Sequence, residues 1–132
     1  MAVTGVAHVA ITVSDLQRSK EWYGRVLGWQ PIMAGEGDGV LFSVGTLPDG
    51  PLIGLRQYDS GSKDAFDPTR IGLDHLALHV ASPAELSEWE QRFTELGVTF
   101  DPSQQTPYGH VLNFKDPDDI ALELYAAPDG AS

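Results

Sequence analysis

The chain has 132 residues, of which 42% are hydrophobic, and it contains no cysteine. This length suits one compact domain with a hydrophobic core, and the missing cysteines exclude disulfides and thiolate metal ligands. Eight basic residues against nineteen acidic residues give a formal net charge of -11, which repels nucleic-acid phosphates and anionic membranes. We therefore expect a small-molecule ligand, with no nucleic-acid or membrane partner.

The first fifteen residues, MAVTGVAHVAITVSD, show no targeting signal. They lack a basic segment and reach Asp15 before an apolar run of membrane-spanning length can form. Together with the absence of cysteine, this predicts a cytoplasmic protein.

The first predicted element is a strand at HVAITV, residues 8–13. Its residues alternate between an apolar face and a face that carries His8 and Thr12, which is the pattern of a half-buried strand. A single histidine at the start of a strand is more often a structural, hydrogen-bonded residue than a ligand. His8 therefore becomes a functional candidate only if a second observation supports it.

A helix is predicted directly after this strand. Ser14 and Asp15 are candidate N-caps, and apolar residues then recur with helical spacing. Gly28 suits the left-handed position that ends many helices, and Trp29 after it is predicted to lie at a rim or interface. We expect the helix to pack on the apolar face of the first strand.

Two further strands follow, at VLFSVG (40–45) and PLIGLRQY (51–58), joined by a turn that contains Pro-Asp. The glycine-rich segment 35–39 is predicted to be a loop, and it lacks the lysine and the following helix of a phosphate-binding loop. The polar segment 59–68 is predicted to be a linker.

The same order of elements then repeats. Residues 72–89, GLDHLALHVASPAELSEW, match residues 5–22, GVAHVAITVSDLQRSKEW, at an offset of 67, and later landmarks match at an offset of 69. The second copy has a strand at 75–80, a helix with an S-x-x-E capping box, and strands at 109–114 and 120–125. So many landmarks in the same order predict a duplicated βαβββ unit.

These elements predict an α+β fold. The first module covers about residues 5–58 and the second about residues 70–126. Because the chain is too short for two typical domains, we expect both modules to belong to a single domain over residues 1–132.

Three potential metal ligands lie on the polar strand faces of the two copies. His8 and His75 stand at the same point of the repeat, and Glu123 lies on the face of the last strand opposite its leucines. If these faces line one concavity, two imidazoles and one carboxylate form the ligand set of a divalent metal. The alternative for Glu123 is a strand-end carboxylate that pairs with Lys115 or is solvated.

Four other side chains share the polar faces. Arg56 and Tyr125 occupy equivalent positions in the two copies. Arg56 is a candidate for binding an anionic substrate; the alternative is that it faces solvent. Thr12 and Tyr125 are further candidate substrate-binding residues. His79 lies two residues from His75 on the same face, where it is either an acid or base near neutral pH or a cavity-lining hydrogen-bonding residue.

With these residues in place, the sequence resembles the vicinal oxygen chelate superfamily of glyoxalases, bleomycin-resistance proteins and extradiol dioxygenases. The resemblance runs from GVAHVAITVSDLQRSKEWYGRVLGW to VLNFKDPDDIALELY, with Asp119 where the family usually has glycine. It implies a glyoxalase-like fold in which two βαβββ modules form an eight-stranded, cup-shaped mixed sheet with flanking helices. It also implies that His8, His75 and Glu123 hold a divalent metal, with iron, manganese, zinc and nickel as candidates, and that substrate oxygens chelate it.

One position departs from the four-ligand members of this family. The repeat places Gly54 opposite Glu123, and because glycine offers no ligand, a lactoylglutathione lyase or a methylmalonyl-CoA epimerase is disfavoured. A three-ligand site is similar to that of extradiol dioxygenases and fosfomycin-modifying enzymes, and by resemblance to the dioxygenases His79, Tyr108 and His110 are the catalytic candidates. A fosfomycin-modifying enzyme is disfavoured because LYAAPDGAS, after Glu123, has no basic cluster for a phosphonate.

Two functions follow from this reading. The first is a metal-dependent enzyme, either dioxygenase-like or lyase- or isomerase-like, that acts on a small molecule with vicinal oxygens. The alternative is a metal-free protein of the bleomycin-resistance type, whose acidic cup sequesters a cationic or aromatic ligand. The aligned triad favours the enzyme, and the resemblance implies a homodimer, with the cup built within one chain or by exchange of modules.

Overall fold

The computed structural model describes residues 1–128 and divides the chain into two compact units, Met1–Asp64 and a second unit that begins at Ala65. Each unit contains one helix and one four-stranded mixed sheet. The predicted α+β class, with two βαβββ modules, is therefore confirmed. The last four residues of the domain predicted over 1–132 lie outside the described residues.

The first unit carries its helix between the first two strands. Its elements are β1 (His8–Thr12), α1 (Leu16–Leu27), β2 (Gln30–Gly37), β3 (Val40–Thr46) and β4 (Leu52–Tyr58). The strand order is β1-β4-β3-β2, and only the β1-β4 pair of this sheet is parallel. Asp15 caps α1 by accepting a 3.1 Å hydrogen bond from the Arg18 amide, and Gly28 ends it with a left-handed φ of 74°. Both ends of the helix agree with the prediction.

The second unit has the same arrangement. Its elements are β5 (Leu76–His79), α2 (Pro83–Leu96), β6 (Gln104–Thr106), β7 (Gly109–Lys115) and β8 (Ala121–Ala126). The strand order is β5-β8-β7-β6, with β5 parallel to β8. Ser82 occupies the N-cap position of α2, but its side chain makes no cap hydrogen bond, so the predicted capping box is not formed; the Glu85 carboxylate instead accepts from the Ala81 amide at 3.0 Å. Neither helix described within residues 1–128 is long and apolar enough to cross a membrane.

The strand registers show that the two modules are built alike. Ala10 on β1 lies beside Gly54 on β4, and Ala77 on β5 lies beside Glu123 on β8. The alanines are 67 residues apart and their partners 69 apart, which are the two offsets of the sequence repeat. Gly54 therefore occupies in the first sheet the place that Glu123 occupies in the second.

Two strands lie in segments where the sequence analysis placed none. Strand β2 extends to Gly37, so the predicted loop at 35–39 is wrong except for Asp38 and Gly39, which form the turn into β3. Both turn residues have positive φ, 55° and 77°, as a two-residue hairpin turn requires. Strand β6 was missed because its three residues, Gln104–Thr106, are polar and show no apolar alternation.

Trp29 lies in the core of the first unit, and its predicted place at a rim or interface is wrong. The residue is 2% exposed, and its indole Nε1 donates a 3.0 Å hydrogen bond to the carbonyl oxygen of Ile53. Gly45 on β3 makes room for the indole, because a Cβ at that position would clash with the ring and lie 2.5 Å from the carbonyl oxygen of Gln30. The missing side chain of Gly45 therefore allows Trp29 to pack into the sheet.

Each sheet has a buried face and a more open face. On β1, Ile11 is buried and His8 is exposed, and on β8, Leu122 and Leu124 are buried while Glu123 is only partly buried. The alternation predicted for both strands is confirmed. We call the face that carries His8 in the first sheet, and Glu123 in the second, the open face of that sheet.

Candidate metal and substrate site

His75 and Glu123 meet on the open face of the second sheet. His75 directly precedes β5, and Glu123 lies in the middle of β8. The Nε2 atom of His75 is 3.3 Å from Oε2 of Glu123, and the two side chains are 48% and 13% exposed. Two of the three predicted metal ligands are therefore in contact within one unit.

Asp74 holds the other ring nitrogen of this histidine. Its Oδ1 lies 2.7 Å from Nδ1 of His75. A carboxylate that accepts from Nδ1–H leaves the Nε2 lone pair available, and this arrangement is common for metal-bound histidine. Because Nε2 also faces Glu123, the donor set fits a divalent cation. The sequence analysis missed Asp74, which lies before the predicted strand and has Ala7 as its equivalent in the first copy.

Asp74 also raises the pKa of His75 above a histidine's ordinary value of 6.5. The hydrogen bond from Asp74 is the largest cause, partial burial of the ring opposes it, and the charge of Glu123 adds to the increase. The paired imidazolium therefore stabilises the fold fully below about pH 6.5, and this contribution is lost as the pH rises through the higher folded pKa.

We expect Asp74→Asn to lower the pKa of His75, because the amide accepts a hydrogen bond but carries no charge to stabilise the imidazolium. The measurement is an NMR titration of the imidazole signals of the metal-free protein. A His75 pKa that is equal in the variant and the wild type would contradict the role given to Asp74.

His8 lies at the start of β1 on the open face of the first sheet, beside Leu52 of β4. It stands at the repeat position of His75, as the sequence analysis proposed. Residues 1–128 contain no group of three or more His, Asp or Glu side chains placed to hold a metal ion. The participation of His8 with the His75–Glu123 pair therefore remains a prediction.

Three of the remaining candidates lie close together near the ends of β5 and β8. His79 lies beside Tyr125, and their rings are 5.5 Å apart in an edge-to-face arrangement. The hydroxyl of Tyr125 donates a 2.7 Å hydrogen bond to the carbonyl oxygen of Tyr108. Tyr108 thus contributes its backbone to this contact, and its own side chain is largely exposed.

His110 lies on the opposite face of the second sheet from Glu123. It shares one face of β7 with Leu112 and Phe114, which are buried, whereas Asn113, on the other face, is the cross-strand partner of Glu123. The thickness of the sheet therefore separates His110 from the His75–Glu123 pair. Its position does not support the catalytic role that was predicted from the resemblance.

A cleft of about 420 Å³ opens beside His75 within the second unit, a volume suited to a small molecule. Its polar lining includes Asn113, Lys115 and Asp101. The sequence analysis missed Asn113, although alternation along the predicted strand 109–114 already placed it on the face opposite Leu112 and Phe114. The strand register shows in addition that Asn113 is the cross-strand partner of Glu123.

Arg56 lies on the open face of the first sheet, as the repeat predicted, with Thr12 beside it in the β1-β4 register. Its Nε donates a 3.1 Å hydrogen bond to the hydroxyl of Tyr58. The guanidinium carbon is 5.6 Å from the centre of the Phe42 ring and 5.7 Å from that of Tyr58. The structure thus brings Thr12 and Arg56 together and adds two aromatic residues that the sequence analysis did not single out.

Two βαβββ modules that carry histidine and carboxylate side chains on open sheet faces are typical of glyoxalase-like proteins. The sequence model of the Glyoxalase/Bleomycin resistance protein/Dioxygenase superfamily matches residues 5–124. The chain belongs to this superfamily, and the resemblance drawn from the sequence is confirmed.

Relatives of this chain cover nearly its whole length. It is 43% identical to a glyoxylase/bleomycin resistance protein/dioxygenase domain from Frankia sp. EAN1pec, whose crystal structure matches with a TM-score of 0.91 over 98% of this chain and 96% of that one. It is 31% identical, over 95% of its length and 98% of the relative's, to the uncharacterized protein YwkD of Bacillus subtilis (strain 168). The fosfomycin resistance protein FosX from Listeria monocytogenes, crystallised with Mn(II) and a sulfate ion, is 19% identical with a TM-score of 0.73 over 97% and 94% of the two chains. At this low identity, the comparison with FosX shows a similarity of fold.

Proposed function

We propose that this chain is a metal-dependent enzyme that acts on a small molecule through a divalent cation held by His8, His75 and Glu123. The observation that supports the proposal is the His75–Glu123 pair, in which Nε2 and Oε2 lie 3.3 Å apart while Asp74 occupies Nδ1. An imidazole nitrogen and a carboxylate oxygen that face each other are ligands for Mn(II), Fe(II), Zn(II) or Ni(II). His8 is assigned as the third ligand from its place in the repeat.

When bound, the cation would act as a Lewis acid that polarises oxygen atoms of the substrate. Gly54, in the place equivalent to Glu123, adds no fourth ligand, so coordination positions stay open for those oxygens. The cleft beside His75 offers room for the substrate, with Asn113 and Lys115 as hydrogen-bond donors in its wall. This arrangement supports either a dioxygenase-like or a lyase- or isomerase-like reaction.

Residues further from the metal ligands are proposed to bind the substrate and move protons. His79, which packs against Tyr125 on the open face, is the proposed acid or base. Because the Tyr125 hydroxyl already donates to the carbonyl oxygen of Tyr108, it is free only to accept a hydrogen bond from the substrate. Thr12 and Arg56 are proposed to bind the substrate from the first unit.

The first test is elemental analysis of protein purified without a histidine tag or chelator. Because the fold neighbour FosX was crystallised with Mn(II), manganese is the first metal to supply. We expect close to one divalent ion per chain in the wild type and loss of this ion in His8→Ala. His110→Ala removes a histidine from the opposite sheet face and should keep the metal. A wild type that holds no metal, even after reconstitution with Mn(II), would rule out the proposal.

The alternative function is a metal-free binding protein of the bleomycin-resistance type. The net charge of -11 supports it, since an acidic protein attracts cationic ligands. It predicts saturable binding of a cationic aromatic dye such as proflavine to the metal-free wild type, with equal affinity in His8→Ala. The proposed metal-dependent enzyme does not require the metal-free protein to bind a cationic dye.

We also propose that the protein works as a cytoplasmic homodimer, as the resemblance implies. Sedimentation equilibrium should then give twice the chain mass of 14.3 kDa.

A further inference from the structure

Two aromatic rings and one hydrogen bond fix the guanidinium of Arg56. Phe42 is the direct cross-strand partner of Arg56, and Tyr58 follows two residues later on the same face of β4. Both ring centres lie within 6 Å of the guanidinium carbon, at 5.6 and 5.7 Å, and Nε donates to the Tyr58 hydroxyl. Contacts of this kind are attractive, so the side chain is held in place before any ligand arrives.

This cation has no acidic partner in the part of the chain that the structure describes, residues 1–128, although the chain carries nineteen acidic residues. Arg25 and Arg70, by contrast, lie close to Glu21 and Asp67. Because Nε donates to Tyr58, the two terminal nitrogens of Arg56 can donate two parallel hydrogen bonds to one ligand. Arg56 is also partly buried, and a partly buried cation is more stable when a ligand supplies the missing anion.

The open face next to Arg56 has little side-chain volume. Gly54 is buried between Ala10 and Val44, and a Cβ built on it would approach these residues only to 3.7–3.9 Å, which is ordinary contact. This shallow apolar floor runs along β4 from Arg56 towards Leu52, the register partner of His8. Four residues of strand span about 13 Å, so the floor has the length of a small organic molecule.

We infer that Arg56 binds the carboxylate of a monoanionic substrate, whose apolar or aromatic body lies over the floor formed by Ala10, Gly54 and Val44. The inference rests on the proposed function for the metal at the His8 end of the floor. Two parallel N–H donors match the two oxygens of a carboxylate, and the apolar floor suits an apolar body. The net charge of -11 opposes a doubly charged phosphate more than a singly charged carboxylate.

The test uses sodium benzoate as the probe and metal-free, 15N-labelled protein at fixed ionic strength. We expect saturable amide shifts in β3 and β4 around Phe42 and Arg56. Arg56→Gln should weaken benzoate binding by about tenfold or more, because it removes both the charge and the paired donors. Arg25→Gln, on the exposed surface of α1, changes the net charge equally and should leave the affinity within about twofold. Circular dichroism checks that each variant is folded.

Two further comparisons examine the chemistry of recognition. Arg56→Lys keeps the charge without the planar fork and should bind benzoate more weakly than the wild type, and neutral benzamide should bind the wild type more weakly than benzoate. Equal binding in either comparison would overturn the carboxylate assignment, as would inorganic phosphate that binds more tightly than benzoate. Benzoate shifts that are absent from β3 and β4, or retained in Arg56→Gln, would overturn the whole inference.

These outcomes are separate from the outcome for the metal. If the wild type binds benzoate through Arg56 but takes up no divalent ion, the proposed metal-dependent function fails while the anion site stands. If the metal binds and benzoate does not, only the inference about Arg56 fails.

Discussion

Glu123→Gln is expected to weaken the binding of Mn(II) by about 100-fold or more. Glutamine has nearly the same shape as glutamate but lacks the charge, and a hard cation prefers the carboxylate. Changes in groups that only support a metal ligand already cost about 10- to 100-fold in affinity, so the loss of a ligand should reach at least the upper end of that range. The measurement is isothermal titration calorimetry with Mn(II) on metal-stripped protein.

Glu88→Gln is the matched control for this change. Glu88 lies on the exposed surface of α2, so the control alters the net charge equally without touching the site. It should bind Mn(II) as the wild type does, and both variants should be folded when free of metal. If Glu123→Gln and Glu88→Gln bind Mn(II) equally well, Glu123 is not a ligand.

Gly45→Ala is expected to lower the free energy of unfolding by about 2–3 kcal/mol, within the range for overpacked cores. The added methyl group would overlap the Trp29 indole and lie 2.5 Å from the Gln30 carbonyl oxygen. The main chain cannot move away as a flexible side chain can, and the displaced indole would also weaken its hydrogen bond to Ile53. Urea unfolding measures the change in stability, and the NMR signal of the indole N–H reports the hydrogen bond.

Gly37→Ala is the control for this second change. A Cβ at Gly37 meets nothing within 4 Å, so its effect should stay within about 0.5 kcal/mol. The comparison separates the loss of space around Trp29 from the general effect of alanine in place of glycine in a strand. Equal destabilisation by both variants would show that Gly45 is not needed for the packing of Trp29.

Local patterns were enough to predict most of the fold. The alternation around Ile11 and His8 gave the two faces of β1, and Gly28 marked the end of α1, because each of these signals depends on neighbours in the sequence. The loop predicted at 35–39 was wrong at its first three residues because glycine-rich composition is typical of loops, whereas Asp38-Gly39 alone is a hairpin signal.

The site was harder to predict because it depends on contacts between distant residues. His75 and Glu123 followed from the repeat and from alternation, but Asp74 lies outside the strand and left no periodic signal. The position of Trp29 could not be predicted, because the space it fills comes from Gly45, which is sixteen residues away. Alternation places His110 and Asn113 on opposite faces of β7, and the catalytic role of His110 stays a prediction.

Gly54 links the evolution of this site to its chemistry. A Cβ at this position would meet only ordinary contacts. Some glycine codons differ from a glutamate codon by a single nucleotide, so a single mutation of such a codon would introduce a carboxylate here. The same mutation would fill the floor beside Arg56. At position 54, a carboxylate would therefore take the space in which we propose that the substrate lies.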